Sequence, residues 1–166
     1  MIATQSDERG KLRMKYTISI TNHARELSFE GERIAQVEEV VDLGASGQSE
    51  LRLTLYAVDG GGFVPVIENL QVDTANVVAE AELVDTANHV DVFFCLFEPC
   101  EYLPEDLIES DSGKKLRAVL SAVHLRLIDA IVEILNSYVA AHPDSEVVRE
   151  ETPKSTSRFW KLIGLD

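Results

Sequence analysis

The sequence predicts an α+β fold: a twisted antiparallel sheet of four to five strands packed against two helices, one of them long (about residues 114–141). Three observations predict it. Short runs alternating apolar and polar residues occupy the chain up to Val84, and such alternation marks half-buried strands. From Asp85 the apolar residues fall three and four apart, the spacing of a helix face. A long helical pattern then runs from Asp111-Ser112-Gly113 to a stop at His142-Pro143. At 166 residues the chain fits one domain with a proper core. Residues 1–14 are expected to be a flexible leader, 15–142 the domain, and 143–166 a polar linker ending in an apolar peptide.

The elements follow in order. Tyr16, Ile18 and Ile20 share one face of a first strand, with Lys15, Thr17 and Ser19 on the other. A second run, Glu26 to Gly31, places Leu27 and Phe29 inward. Arg33 to Val41 suits either a helix turn or more strand, and the strand is preferred. Leu51, Leu53, Leu55 and Ala57 alternate up to Asp59-Gly60-Gly61-Gly62, and Phe63-Val-Pro-Val-Ile returns. Consecutive glycines supply the positive φ that a tight reversal needs. Pro65 cannot donate to a ladder, so its strand is expected to be an edge or to carry a bulge. In a strand from Val77 to Val84, Val77, Ala79, Ala81 and Leu83 are expected inward, with Glu80 and Glu82 in solvent. Thr86 can cap a helix running to about Phe97, with Val90, Phe93, Phe94 and Phe97 on one face.

The long helix carries two apolar stripes. Leu116, Leu120, Val123, Leu127, Ile131, Ile134 and Tyr138 form a broad one, wide enough to cover a sheet. Leu125, Ile128, Val132 and Leu135 form a second, about 140–160° away. That stripe needs its own cover, which is either the first helix or a second copy of the chain in a homodimer.

Charge excludes some partners. The net charge is −14, and between Leu53 and Gly113 there are thirteen Asp and Glu but no Lys or Arg. Phosphate binding needs clustered bases, so no direct nucleic-acid contact and no membrane partner is expected. The partner should be a protein or a second copy of this one. Cys95 and Cys100 are too few for a disulfide framework, and no apolar signal segment opens the sequence. The expected setting is a reducing cytoplasm.

The residues that could carry chemistry are sparse. His89, Cys95 and Cys100, with Asp91 and Glu98, are the one gathering of metal-ligand types, but they lack the short paired spacing of zinc sites. Cys95, within Phe93-Phe-Cys-Leu-Phe, reads as a small hydrophobe. His124 is expected on the polar side of the long helix, and His142 at its end, where the dipole favours it. Glu80 with Glu82, and Glu105, Asp106, Glu109 and Asp111, read as solvated faces, because acid–base work needs two carboxylates in contrasting environments. No catalytic residue, cofactor or metal is therefore assigned. Two patches remain as interaction candidates. One is the stripe Leu125, Ile128, Val132 and Leu135. The other is the C-terminal cluster Phe159, Trp160, Leu162 and Ile163, beside Arg158 and Lys161 and behind a Pro/Ser/Thr-rich stretch. Large aromatics on a tether commonly anchor in a pocket; the alternatives are docking on the protein's own body or on a dimer mate, and the first is preferred because Arg158 and Lys161 complement the acidic middle.

Residues 27–35, Leu-Ser-Phe-Glu-Gly-Glu-Arg-Ile-Ala, and 51–64, Leu-Arg-Leu-Thr-Leu-Tyr-Ala-Val-Asp-Gly-Gly-Gly-Phe-Val, together resemble the small bacterial EXLDI proteins over about residues 16–109. The eponymous Glu-x-Leu-Asp-Ile is absent, and Glu105-Asp-Leu-Ile-Glu departs at its last two positions. The resemblance implies a small antiparallel sheet followed by helices in a bacterial protein, and brings no activity. Three functions stay open. The first is a self-associating, acidic protein-interaction module. The second is an acidic nucleic-acid mimic that inhibits another protein. The third is a small-ligand binder or enzyme with a pocket between sheet and helices.

Overall fold

The computed structural model describes residues 3–6, 12–21, 24–44, 47–71, 76–103 and 111–147. Six antiparallel strands follow one another across a single sheet in chain order. They are β1 (Ala3–Ser6), β2 (Leu12–Ile20), β3 (Arg25–Asp42), β4 (Gln48–Val58), β5 (Phe63–Gln71) and β6 (Asn76–Ala81). Helices α1 (Ala87–Leu96) and α2 (Asp111–Ala141) complete the expected α+β body. The sixth strand, β1, comes from the stretch expected to be a leader, where Ala3–Ser6 pairs with Leu12–Lys15. Ala-Thr-Gln-Ser has no apolar alternation, so only tertiary pairing makes it a strand.

The long β3 explains why its sequence reads ambiguously. A bulge between Arg33 and Ala35 inserts one residue against β4, and one residue reverses the facing of everything beyond it. Before it, Leu27 and Phe29 join the cluster on the concave face; after it, Ala35, Val37 and Val41 face the helices. On the concave face Tyr16, Phe29 and Tyr56 pack ring against ring, with centroids 4.6–5.5 Å apart. The sheet curls until β2 nears β6. There the Thr21 hydroxyl donates to the Val77 carbonyl at 3.2 Å and accepts from the Ala79 N–H at 3.1 Å.

The opposite face holds the main core. Leu53, Leu55, Phe63 and Ile67 from the sheet meet Phe94 of α1 and Ile131 and Leu135 of α2, all essentially without solvent exposure. Replacing a side chain at such depth by Ala typically costs ~2–5 kcal/mol, so this interface fixes the layers. Thr86 caps α1 as expected, its hydroxyl accepting from the His89 N–H at 3.3 Å. His142 terminates α2 with its ring stacked on Tyr138 and Nδ1 3.0 Å from the Tyr138 carbonyl.

Of the two covers open to the stripe Leu125, Ile128, Val132 and Leu135, the first helix is the one found over most of it, which leaves little of it as a dimer face. Ile128 and Leu135 are 4% and 1% exposed and Val132 packs on the same core, because α1 and the 3₁₀ turn Pro99–Tyr102 cover that side. Leu125 alone stays exposed. Val119 and Ile134 are exposed too, but at ~100° per residue they point away from Leu125. Other expectations need correction. His124 is buried, not on a polar face, and packs edge-on to Phe97 with ring centroids 5.9 Å apart. Cys95 is exposed rather than a core hydrophobe, while Cys100 is buried. Pro65 does not mark an edge, since β5 pairs on both sides. Val77 and Leu83 are exposed instead of inward.

The stretch after α2, read from sequence as linker, begins as a docked strap. The Ser145 carbonyl accepts from the Gly62 N–H at 2.7 Å, and the Val147 N–H donates to the Asp85 carbonyl at 2.9 Å. The Glu146 carboxylate accepts from the first amide of α1, Ala87, at 2.7 Å, as an anion at a helix N-terminus should. Residues 148–166, including Phe159, Trp160, Leu162 and Ile163, lie outside the described residues, as do Glu105, Asp106 and Glu109.

Candidate interaction groove

A single missing N–H borders one surface groove. Phe63 and Val84 exchange both backbone hydrogen bonds, at 2.8 and 2.9 Å. In an antiparallel ladder the next such pair lies two residues along, which here sets Pro65 opposite Glu82. Proline has no N–H to give, and the ladder resumes only at Val66 and Ala81. The unpaired step Glu82-Leu83 is thereby freed from the sheet, and Leu83 becomes 54% exposed.

Beside that step, α1 presents its second apolar side. Val92 and Leu96 sit one turn apart, Leu96 being 79% exposed. The two elements border an open groove of about 580 Å³ lined by Leu83, Val92, Phe93 and Leu96 together with Glu80, Glu82, Asp85 and His89. Among the described residues neither lysine nor arginine lines it. Exposed apolar side chains set among polar ones are common at recognition surfaces.

A second hollow of about 400 Å³ lies at the seam of the curled sheet, reaching Ile18, Tyr56, Val66 and Glu68. Near its mouth Arg52 is clasped by three carboxylates: Glu38 at 2.8 Å, Glu68 at 3.5 Å and Glu50 in still closer contact. Partial burial works against the Arg52 charge, yet these carboxylates raise its pKa. In return the hydrogen bond from Arg52 holds the Glu38 carboxyl below its usual range. Arg126 is likewise held by Glu39 at 2.6 Å. The charges in this region satisfy one another.

The residues considered for chemistry are dispersed. Cys95 lies 3.7 Å from the Asp91 carboxylate, and desolvation followed by that negative charge pushes its thiol pKa up. Cys100 turns toward the Arg117 carbonyl, and burial raises its thiol likewise. Thiols held protonated are poor nucleophiles and poor ligands. Among the described residues no three His, Cys, Asp or Glu side chains gather to hold a metal, and no helix is long and apolar enough to cross a membrane. Tyr138 donates to Glu32 at 2.9 Å, and burial first, then that carboxylate, push its phenol up to about 12.

Sequence reasoning missed the groove. Glu80 and Glu82 read as solvated from sequence; Glu82 is exposed but Glu80 is half-buried, and both line a groove with exposed apolar side chains that the pattern did not place there. The available signal was Val92 and Leu96, apolar residues off the Val90–Phe94–Phe97 stripe, which make α1 apolar on both sides. No family model matches this chain, and neither a curated protein nor a solved structure shows significant similarity to it.

Proposed function

We propose that this protein is a non-enzymatic, acidic interaction module that holds apolar segments carrying basic residues in the groove between β6 and α1. The observation that carries the reading is a surface groove whose lining joins exposed Leu83, Val92 and Leu96 to Glu80, Glu82 and Asp85. Exposed apolar side chains give affinity by desolvation, and neighbouring acids favour cationic partners and speed their encounter. Two unpaired cysteines, one of them exposed, suit a cytoplasmic setting. The nucleic-acid-mimic reading gains less support, because Glu38, Glu39, Glu50 and Glu68 are drawn onto Arg52 and Arg126. A pocket between sheet and helices also gains little, since that interface is filled by buried Leu, Ile and Phe.

The test is a fluorescence-anisotropy titration of a labelled synthetic Leu/Lys peptide against the full chain carrying Phe159→Ser and Trp160→Ser. Binding should weaken at least tenfold, about 1.4 kcal/mol, when Leu83→Glu and Leu96→Glu are added. Both positions are solvent-exposed, so melting should barely change. Equal affinity with and without the groove substitutions would refute the reading.

A further inference from the structure

We infer that His124 is an acid-released latch between α1 and α2: proton uptake by its buried ring frees α1, which carries one wall of the groove. This rests on the groove reading above and adds what regulates the site.

The setting of the ring carries the inference. His124 is buried, and its Nε2 has no hydrogen-bond partner. The hydrogen bond with the Phe94 backbone therefore belongs to Nδ1. A neutral imidazole with its proton on Nδ1 suits this place. Protonation turns Nε2 into a second donor and charges the ring, and a buried charged donor without a partner is strongly disfavoured.

Among the described residues, the charged and titratable groups on the surrounding elements are engaged elsewhere. Asp91 of α1 and Asp129 of α2 act on the Cys95 thiol. Glu98, ahead of the 3₁₀ turn, and Arg117 of α2 act on Cys100 of that turn. Glu101 of the turn is exposed, and from the sheet Glu39 meets Arg126 at 2.6 Å. Burial lowers the imidazole pKa and the Phe94 hydrogen bond alone opposes it.

Helix α1 is the part that gives way. Polar ties of its own hold α2 to β3: Arg126 to Glu39, and Tyr138 to Glu32 at 2.9 Å. By contrast α1 has ten residues and meets the His124 ring through the Phe94 hydrogen bond and the edge-on contact with Phe97. A short helix on an apolar seat opens at lower cost than the whole fold. Val92, Phe93 and Leu96 line the groove, so freeing α1 removes that wall and releases the occupant. Docking is complete above about pH 6.5 and is lost as pH falls through the depressed folded value.

The test is hydrogen exchange of the full chain from about pH 7.5 to about pH 4.5, corrected for the intrinsic effect of pH on exchange. Protection of the α1 amides should fall at least tenfold at the acid end while that of β4 holds. His124→Leu and His124→Gln should each abolish the fall, and either one that folds decides the matter. Protection of α1 that ignores pH overturns the inference, as does an acid loss that persists in a folded variant or is shared equally by β4. Anisotropy titration of the Leu/Lys peptide over the same range should show acid weakening the unsubstituted chain more than the His124 variants. The groove side chains are the same in all of these, so their own titration cancels, and equal weakening also overturns the inference. If the peptide still needs Leu83 and Leu96 while α1 ignores pH, the latch fails and the interaction module stands. Acid release of α1 with no peptide binding at any pH sinks the module instead.

Discussion

His124 is the residue whose environment departs furthest from its sequence appearance. Read from sequence as belonging to the polar side of α2, it is only 5% exposed and its Nε2 has no hydrogen-bond partner. Burial pushes the imidazole pKa below its ordinary value, against an opposing hydrogen bond with the Phe94 backbone. Because the folded pKa lies below the unfolded one, the fold binds the proton less well than the unfolded chain does. Stability is therefore complete above about pH 6.5 and falls as pH drops through the depressed folded value. His124→Leu should flatten this acid limb in urea denaturation followed across pH. An unchanged difference between neutral and mildly acid stability would show that His124 is not the group responsible.

At the scale of elements, the β4–β5 turn ties three parts of the chain together. Gly62 has φ +89°, and a Cβ there would come within 2.8 Å of the Val84 carbonyl. Its amide holds Ser145 of the strap, and its neighbour Gly61 lies against Val147. Gly62→Ala should lower unfolding free energy by about 1–3 kcal/mol in denaturant titration with unchanged slope; a neutral result would mean the turn is freer than drawn. The glycine turn was legible because φ > 0 has a residue signature. So were β2, β4, the Thr86 cap and the His142-Pro143 stop, each set by local periodicity or capping. What escaped was set by contacts distant in sequence. The β3 bulge reverses facing without any special residue at Ile34. The side of α2 bearing His124 is closed by α1, which no helical wheel of α2 contains. Leu83 was misread for a subtler reason: alternation assumes a continuous ladder, and Pro65 on the neighbouring strand interrupts it.

For the molecule as a whole, charge and shape divide the surface. Arg52 and Arg126 neutralise the carboxylates of the sheet around them, whereas among the described residues the groove at β6 and α1 is lined by acids and no Lys or Arg. The apolar side chains alone would select any greasy segment. The acids are what should make the choice between basic and acidic ones, and that part of the attraction is screened within a Debye length of about 8–10 Å at ordinary salt. Calorimetric titration of the Phe159→Ser, Trp160→Ser chain with a Leu/Lys peptide and its Leu/Glu counterpart, at low and high salt, separates the two contributions. The account predicts clear preference for the lysine peptide at low salt, shrinking as salt rises while a salt-insensitive apolar affinity remains. Equal binding of both peptides at every salt concentration would contradict it.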